Sequence, residues 1–585
     1  MFQKPYRDRQ KEISIISIPG LGCNKPGTYL MKLVFIWPLI GCFAAAGAAQ
    51  PSAPWLSPLF APARLSQDVR ILASDEFEGR APYTAAETKT VDYLVTQMRR
   101  AGLQPGGDID NGKRSWIQPV RLVRSEHVSP PSASITIGGV QQTLSQGQEV
   151  VIRATLNGSS SVDIDSAPVV FIGYGVSAPE RNWDDFKGVD LHGKVALVLI
   201  NDPDFETGEG DFGGREMTYY GRWTYKFEEA LRRGASAVFI IHETAPASYG
   251  WELVRNTDTL PLFDIERDDP ASIHPQLEGW MHRDSAVTLF ERAGLDFEVL
   301  KQVARTREFH PVELADARFS TSYQVNLSTV TSKNVVGRIN GRVHPEESVV
   351  YVAHWDHLGI GSDDAQGDHV FNGAFDNATG VAGLLELGRR FANGPSPQRS
   401  LIFLAVTSEE KGLLGSEYYV SNPSQPLSKT AGVINIDILD PHGPARNFTS
   451  AGNPKLDLLD DLKVTAKHWG LYFAPDKNLA AGRFFRSDHF SFAKRGVPAV
   501  WFQSGNDWYH GGATAGDAEM ADFYANRYHQ RGDEWSPAWS FTGMARDVSI
   551  LYQFGLDLAN SRRWPNWGAD SEFRAVRDQT AAERP

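Results

Sequence analysis

The chain is predicted to adopt an α/β fold of three layers, α/β/α, around a mostly parallel central sheet, with a smaller α/β domain inserted. Three observations predict it. From about residue 333 onward, apolar strands of buried type alternate with amphipathic helices, the pattern of a parallel sheet covered on both faces. A second, shorter set of strands around one helix lies between about 165 and 245. The length, 585 residues with 41% hydrophobic and 22% charged, suits a globular protein too large for one small core.

Residues 1–48 read as a leader. From Met31 the chain runs MKLVFIWPLIGCFAAAGAAQ: one lysine, a short apolar run, then small residues. That is the layout of a secretory signal, with Met31 the expected start and cleavage expected after Ala48. The apolar run is too short and too interrupted for a spanning helix. Leu39-Ile40-Gly41-Cys42 resembles a lipobox, so a lipid anchor at Cys42 is a second reading beside the soluble form. Either way the protein is expected to be exported, periplasmic or extracellular. Both cysteines, Cys23 and Cys42, fall in this leader. The soluble mature form therefore has no disulfide and no thiolate ligand, and any metal must be held by His, Asp and Glu. A net charge of −13 without a Lys/Arg-dense run argues against nucleic acid as a partner.

Residues 49–130 are assigned to the first part of the main domain. Within AAETKTVDYLVTQMRRAGLQP, Val91, Leu94, Met98 and Ala101 share one helical face, and Gly102 and Pro105 stop the helix. Residues 131–319 form the predicted insertion. VVFIGYGV, KVALVLI and ASAVFIIHE read as strands and YYGRWTYKFEEALRRG as a helix. Gly173 and Gly175 lack the third glycine and following helix of a dinucleotide site. Residues 320–565 carry the strands NVVGRI, SVVYVA, SLIFLAV, GVINID and PAVWF. Its helices are TGVAGLLELGRRFA, PKLDLLDDLKVTAKHWG and TGMARDVSILYQFGLDLAN. Residues 566–585 are read as a tail.

Ligands in open parallel sheets sit at the carboxyl ends of the strands. SVVYVA runs into His354-Trp355-Asp356-His357, SLIFLAV into Thr407-Ser408-Glu409-Glu410, and GVINI into Asp437. Asp376 lies in FNGAFDNATG just ahead of a helix, where an N-cap role for Asp376-Asn377 is the plainer alternative. Carboxylates and imidazoles gathered at one sheet edge repel one another unless a cation sits among them. An Asp inside GVINIDIL is costly to bury alone, by several kcal/mol.

HWDHLG, GAFDNATGVAGLLEL, TSEEKGLLGSEYYV, NIDIL, RSDHFSFAKRGVPAV and YHQRGDEW together resemble the di-zinc exopeptidase family of bacterial secreted aminopeptidases and glutamate carboxypeptidase-like enzymes. The likeness covers roughly residues 63–125 and 320–560, and the insertion resembles a protease-associated (PA) domain. The resemblance implies two zinc ions per chain. One is held by His354 and Asp437, the other by Glu410 and His529, with Asp376 bridging. It implies Glu409 as general base, and a cis peptide between Asp376 and Asn377. Tyr528, beside His529, is a candidate to stabilise the oxyanion. Asp356 is expected to orient His354 by accepting its second N–H. His357 and His489 are read as supporting or structural, and Ser487-Asp488 matches a family motif without an assigned role.

A peptide is the expected substrate. An aminopeptidase comes first, since acidic groups hold a terminal ammonium. A carboxypeptidase needs cations for a terminal carboxylate, and Arg483 and Arg486 keep that open. A glutaminyl-cyclase-like transferase on the same scaffold works with one zinc, against the full ligand set here. A non-catalytic receptor or binding module would have lost ligands or the base. G-x-S-x-G and H-E-x-x-H are both absent.

Overall fold

The structure is a computed structural model that describes residues 59–257, 260–452 and 454–584. The leader reading, with Met31, Ala48, Cys23 and Cys42, lies outside them. Among the described residues no helix is long and apolar enough to cross a membrane.

Helix α1 (Pro62–Leu72) buries Leu65, Val69 and Leu72 at a four–three spacing. Helix α2 (Ala85–Ala101) buries Val91, Leu94, Met98 and Ala101, the face predicted. Gly102 ends it at φ +91°, with Leu103 N–H returning to the Met98 carbonyl.

Strand β1 (Ile117–His127) leaves the main sheet, and the chain then builds a second one. That sheet contains β2 (Ser132–Ile137), β3 (Val140–Leu144), β4 (Val150–Ile152), β5 (Ser161–Phe171) and β6 (Val195–Leu199). After helix α3 (Trp223–Arg232) come β7 (Ala237–His242), β8 (Leu262–Ile265) and β9 (Leu277–His282). β5, β6, β7 and β9 pair in parallel, while β2, β3 and β4 pair antiparallel at the margins. β8 departs from the insertion and pairs with β1 instead.

No break falls at residues 319–320, where the sequence suggested a domain boundary. β10 runs unbroken from Val312 to Ile339. Its first part pairs with β2 and β5, its second with β1 and then the main sheet. One strand therefore belongs to both sheets, and local sequence carries no mark of the change of partner.

The main sheet continues with β11 (His344–His354), helix α4 (Thr379–Ala392), β12 (Arg399–Val406), α5 (Leu414–Ser421) and β13 (Thr430–Ile436). Then come β14 (Asn447–Ser450), α6 (Asp457–His468), α7 (His489–Lys494), β15 (Ala499–Ser504), α8 (Gly512–Asn526) and α9 (Thr542–Asn560). Its order is β10-β12-β11-β13-β15-β14, with the inner four parallel and the outer two antiparallel. Alternate residues of β11 serve opposite layers. Tyr351 and Ala353 pack into the core made with α1, α2, α4 and α9, whereas Val350 and Val352 pack against Tyr419 of α5 and Phe492 of α7. This is the three-layer arrangement expected.

Residues 566–584 are not a loose tail. Trp567 and Phe573 are buried, Trp567 donates its ring N–H to the Gly496 carbonyl at 2.9 Å, and helix α10 (Arg574–Gln579) buries Arg577. The polar composition of the segment conceals two aromatic anchors, and those decide its placement.

Candidate metal centre

Because β11, β12 and β13 run parallel, their carboxyl ends deliver His354, Glu409-Glu410 and Asp437 to one edge. Asp376 arrives from the turn before α4, and His529 from the turn after α8. All these side chains converge. His354 Nε2 lies 3.2 Å from Asp376 Oδ1 and 3.3 Å from Asp437 Oδ1. His529 Nε2 lies 3.3 Å from Asp376 Oδ2 and 3.1 Å from Glu410 Oε2. The two oxygens of Asp376 thus face different histidines. Donor atoms of His354, Glu409 and Asp437, and likewise of His354, Asp376 and Glu410, lie within 4.8 Å of one another.

The electrostatics call for positive charge. Burial, reinforced by the neighbouring Glu410, Asp437 and Asp488, pushes the Glu409 carboxyl well up. Burial opposes charge on both imidazoles, yet the surrounding carboxylates win: Glu409 and Asp437 raise His354 far above its ordinary value, and Glu410 and Asp376 raise His529 to about 10. Protons held this tightly stand where a divalent cation would otherwise neutralise the carboxylates. Nitrogen and carboxylate oxygen donors without sulfur fit zinc, and also cobalt or manganese. The residues therefore fit the metal pair that the sequence motifs imply.

Supporting contacts fix the geometry. Asp376 and Asn377 are joined by a cis peptide bond, as expected. Asn377, rather than Asp376, meets the first turn of the following helix: its Oδ1 accepts the Gly380 N–H at 2.9 Å and the Ile438 N–H at 3.1 Å. Ser487 donates to Asp437 Oδ2 at 2.6 Å and accepts from Asn435 at 2.7 Å, which gives the Ser487-Asp488 motif a role. His357 is buried with Nδ1 2.8 Å from Glu410 Oε1. His489 is buried among Phe484 and Trp501, and burial drives its pKa down to about 3, a structural imidazole.

Asp356 differs from expectation. His354 Nδ1 faces the Asp356 backbone carbonyl at 3.2 Å, while the carboxylate stands 3.9 Å away. That carboxylate instead accepts the backbone N–H groups of Glu409 at 3.0 Å and Glu410 at 3.3 Å. The two amides lie closer and better aligned than the ring, so Asp356 holds the Glu409-Glu410 turn. Tyr528 stacks on His529 with ring centroids 3.9 Å apart. Burial and then the site carboxylates raise its phenol well above the ordinary range, so it stays a protonated donor.

Two residues escaped the sequence reading. Arg80 is buried beneath the site and donates to the carbonyls of Trp355 at 2.9 Å, Leu72 at 2.7 Å, Asn372 at 2.6 Å and Gly373 at 2.7 Å. It ties together the loops carrying His354 and Asp376. Asp533, buried, accepts the backbone N–H groups of Phe375 at 2.8 Å and Asp376 at 3.0 Å. Their motifs, EGR and RGDEW, were visible, but backbone contacts made across 292 and 157 positions leave no local pattern.

Residues 334–552 match the model of peptidase family M28. Over that segment the chain is similar to peptidase family M28. The M28 segment includes every metal-site residue named above except Arg80. A curated relative, a probable zinc metalloprotease of Pyricularia oryzae, is 31% identical over 28% of this chain and 32% of its own length. Aminopeptidase YwaD of Bacillus subtilis is 26% identical over 75% of this chain and 76% of its own. The chain spans between 23% and 32% of the lengths of the four fungal zinc metalloprotease relatives. Among solved structures, an aminopeptidase from Aneurinibacillus sp. strain AM-1 is 19% identical, with TM-score 0.45, over 87% of this chain and 95% of that one. The M28 match and the converging donor set rest on different observations.

Proposed function

We propose that the chain is a zinc-dependent aminopeptidase that releases the N-terminal residue of peptides. The observation that carries this reading is Asp376, whose two carboxylate oxygens face His354 and His529 separately. In it, His354 and Asp437 would hold one ion and Glu410 and His529 the other, with Asp376 placed to serve both. When bound, such a pair lowers the pKa of water and polarises the scissile carbonyl.

Glu409 acts on protons. Its carboxylate, beside the metal-site donors His354 and Asp437, takes one from the attacking water and delivers it to the leaving amine. Asp356 aims that carboxylate by gripping the Glu409 amide. The Tyr528 hydroxyl donates to the oxygen that gains charge. The acidic surroundings suit a substrate ammonium. Arg483 is engaged already, 3.8 Å from Asp476 and hydrogen-bonded to Tyr524 at 3.1 Å, so the carboxypeptidase alternative rests on Arg486, which donates to Ser248 Oγ at 3.2 Å. The insertion is read as a PA domain and the protein as exported.

The test is a panel of aminoacyl-anilides and N-blocked peptides, with metal analysis of the same sample. Turnover of free-amine substrates alone, lost on chelation and restored by zinc at two ions per chain, is expected. Cleavage of N-blocked peptides, or indifference to chelator, would overturn the reading.

A further inference from the structure

Asp356 grips the Glu409-Glu410 turn by its amides, and β10 holds the same turn where it leaves β12. Thr407 follows β12, and its N–H donates to Asn334 Oδ1 at 3.1 Å. Asn334 Nδ2 donates in turn to the Gly415 carbonyl at 2.8 Å, so both ends of the loop 407–415 rest on one side chain of β10. Between them Ser408 has φ +53° and ψ +33°, a left-handed conformation unfavourable to a residue that carries a Cβ. Ser408 is buried, and its side chain must be held for that conformation to persist.

A run of buried hydroxyls leads from Ser408 to a carboxylate outside the metal site. Ser408 Oγ lies 3.2 Å from Thr407 Oγ1, and Thr407 Oγ1 lies 2.6 Å from Ser332 Oγ. Ser332 donates to Glu87 Oε2 at 2.7 Å. Glu87 is buried in the first turn of α2, with Oε1 2.8 Å from Lys333 Nζ. This ion-paired carboxylate fixes the direction of the run, because it only accepts. The one hydroxyl proton of Ser332 goes to Glu87, that of Thr407 to Ser332, and that of Ser408 to Thr407. Glu87 Oε2 also accepts the Tyr83 N–H at 2.6 Å and so fastens the start of α2. That local duty needs neither Ser332 nor Thr407. Glu87 and Ser332 both lie outside the segment 334–552 that matches the family model.

We propose that Glu87, Ser332 and Thr407 are positioning residues for Glu409: their directed run of hydrogen bonds pins Ser408 in the left-handed conformation that sets where the Glu409 carboxyl stands. The inference rests on Glu409 as the base of the aminopeptidase reading and deepens it. It gives helix α2, far away in sequence, a share in placing that base.

The test uses the zinc-loaded full chain with an aminoacyl-anilide as substrate and zinc measured on every sample. Thr407→Val removes the central hydroxyl at nearly constant shape, and Thr407→Ser keeps it. A reacting group misplaced by about 1 Å can cost about 100-fold, so kcat of Thr407→Val is expected to fall by about 10- to 100-fold with KM within about twofold. Thr407→Ser should recover most of that loss. In a Glu409→Gln background, Thr407→Val should cost almost nothing more, because the group it displaces is already gone. Full kcat in Thr407→Val, a loss confined to KM, or an equal fold loss in both backgrounds would overturn the proposal. Should Thr407→Val fail to fold, Ser332→Ala, which deletes a single oxygen, carries the same comparison. Wild-type turnover in Glu409→Gln alone would bring down the base assignment, and the positioning role with it. If no anilide is cleaved, crystal structures of wild type and Thr407→Val read the positioning by itself: Ser408 leaving the left-handed region supports it, and an unmoved Ser408 and Glu409 overturn it.

Discussion

Asp533 governs Asp376 through the backbone: its Oδ2 accepts the Asp376 N–H at 3.0 Å while the Asp376 carboxylate stays free to face His354 and His529. Groups that orient ligands in this way typically change metal affinity by about 10- to 100-fold when removed. Asp533→Ala is expected to weaken zinc binding by that order, and Asp533→Asn by less. Competition against a chromophoric chelator measures it; unaltered affinity would reduce Asp533 to packing.

Glu409→Gln separates metal holding from proton transfer. The amide keeps the size of the carboxyl but cannot take a proton, so zinc content should match wild type while kcat falls by roughly 10²–10⁴. Normal turnover in that variant would remove Glu409 from the base role.

Arg80→Met leaves four buried carbonyls without their donor. Each such loss costs about 1–3 kcal/mol, softened by relaxation. The variant is expected to unfold several °C lower and to bind zinc more weakly, as followed by thermal denaturation with and without added metal. Loss of stability with full zinc affinity would show that Arg80 braces the fold but not the ligand loops.

His274 provides a pH test away from the metal. Burial works against its charge, but Glu278 at 2.8 Å and Asp264 at 3.0 Å raise its pKa to about 9. The folded value exceeds the unfolded one, so the stabilisation is complete below about pH 6.5 and fades as pH rises through about 9. The shift corresponds to roughly 3 kcal/mol. In denaturant titrations the gap between wild type and His274→Gln should shrink across that window. A gap independent of pH would mean that the ring contributes by packing alone.

The sequence made the regular parts legible. TGVAGLLELGRRFA and TGMARDVSILYQFGLDLAN match helices α4 and α9 end to end, because periodic apolar residues and flanking breakers act locally. Helix α8 was missed: GATAGDAEMADFYAN buries only Gly516 and Phe523, so it has no apolar stripe to read. The histidines and carboxylates at strand ends were visible for the same reason as the strands. The grip of Asp356 on the Glu409 amide was not, since choosing between an imidazole and two amides requires distances.

The 28-residue strand Val312–Ile339 behaves like a rail laid under two carriages. A graft that exchanges the inserted half between related chains needs its joints outside the ladder, in β1 and β10 together. Cutting at the apparent border would expose raw amide edges on both products, and such edges invite aggregation.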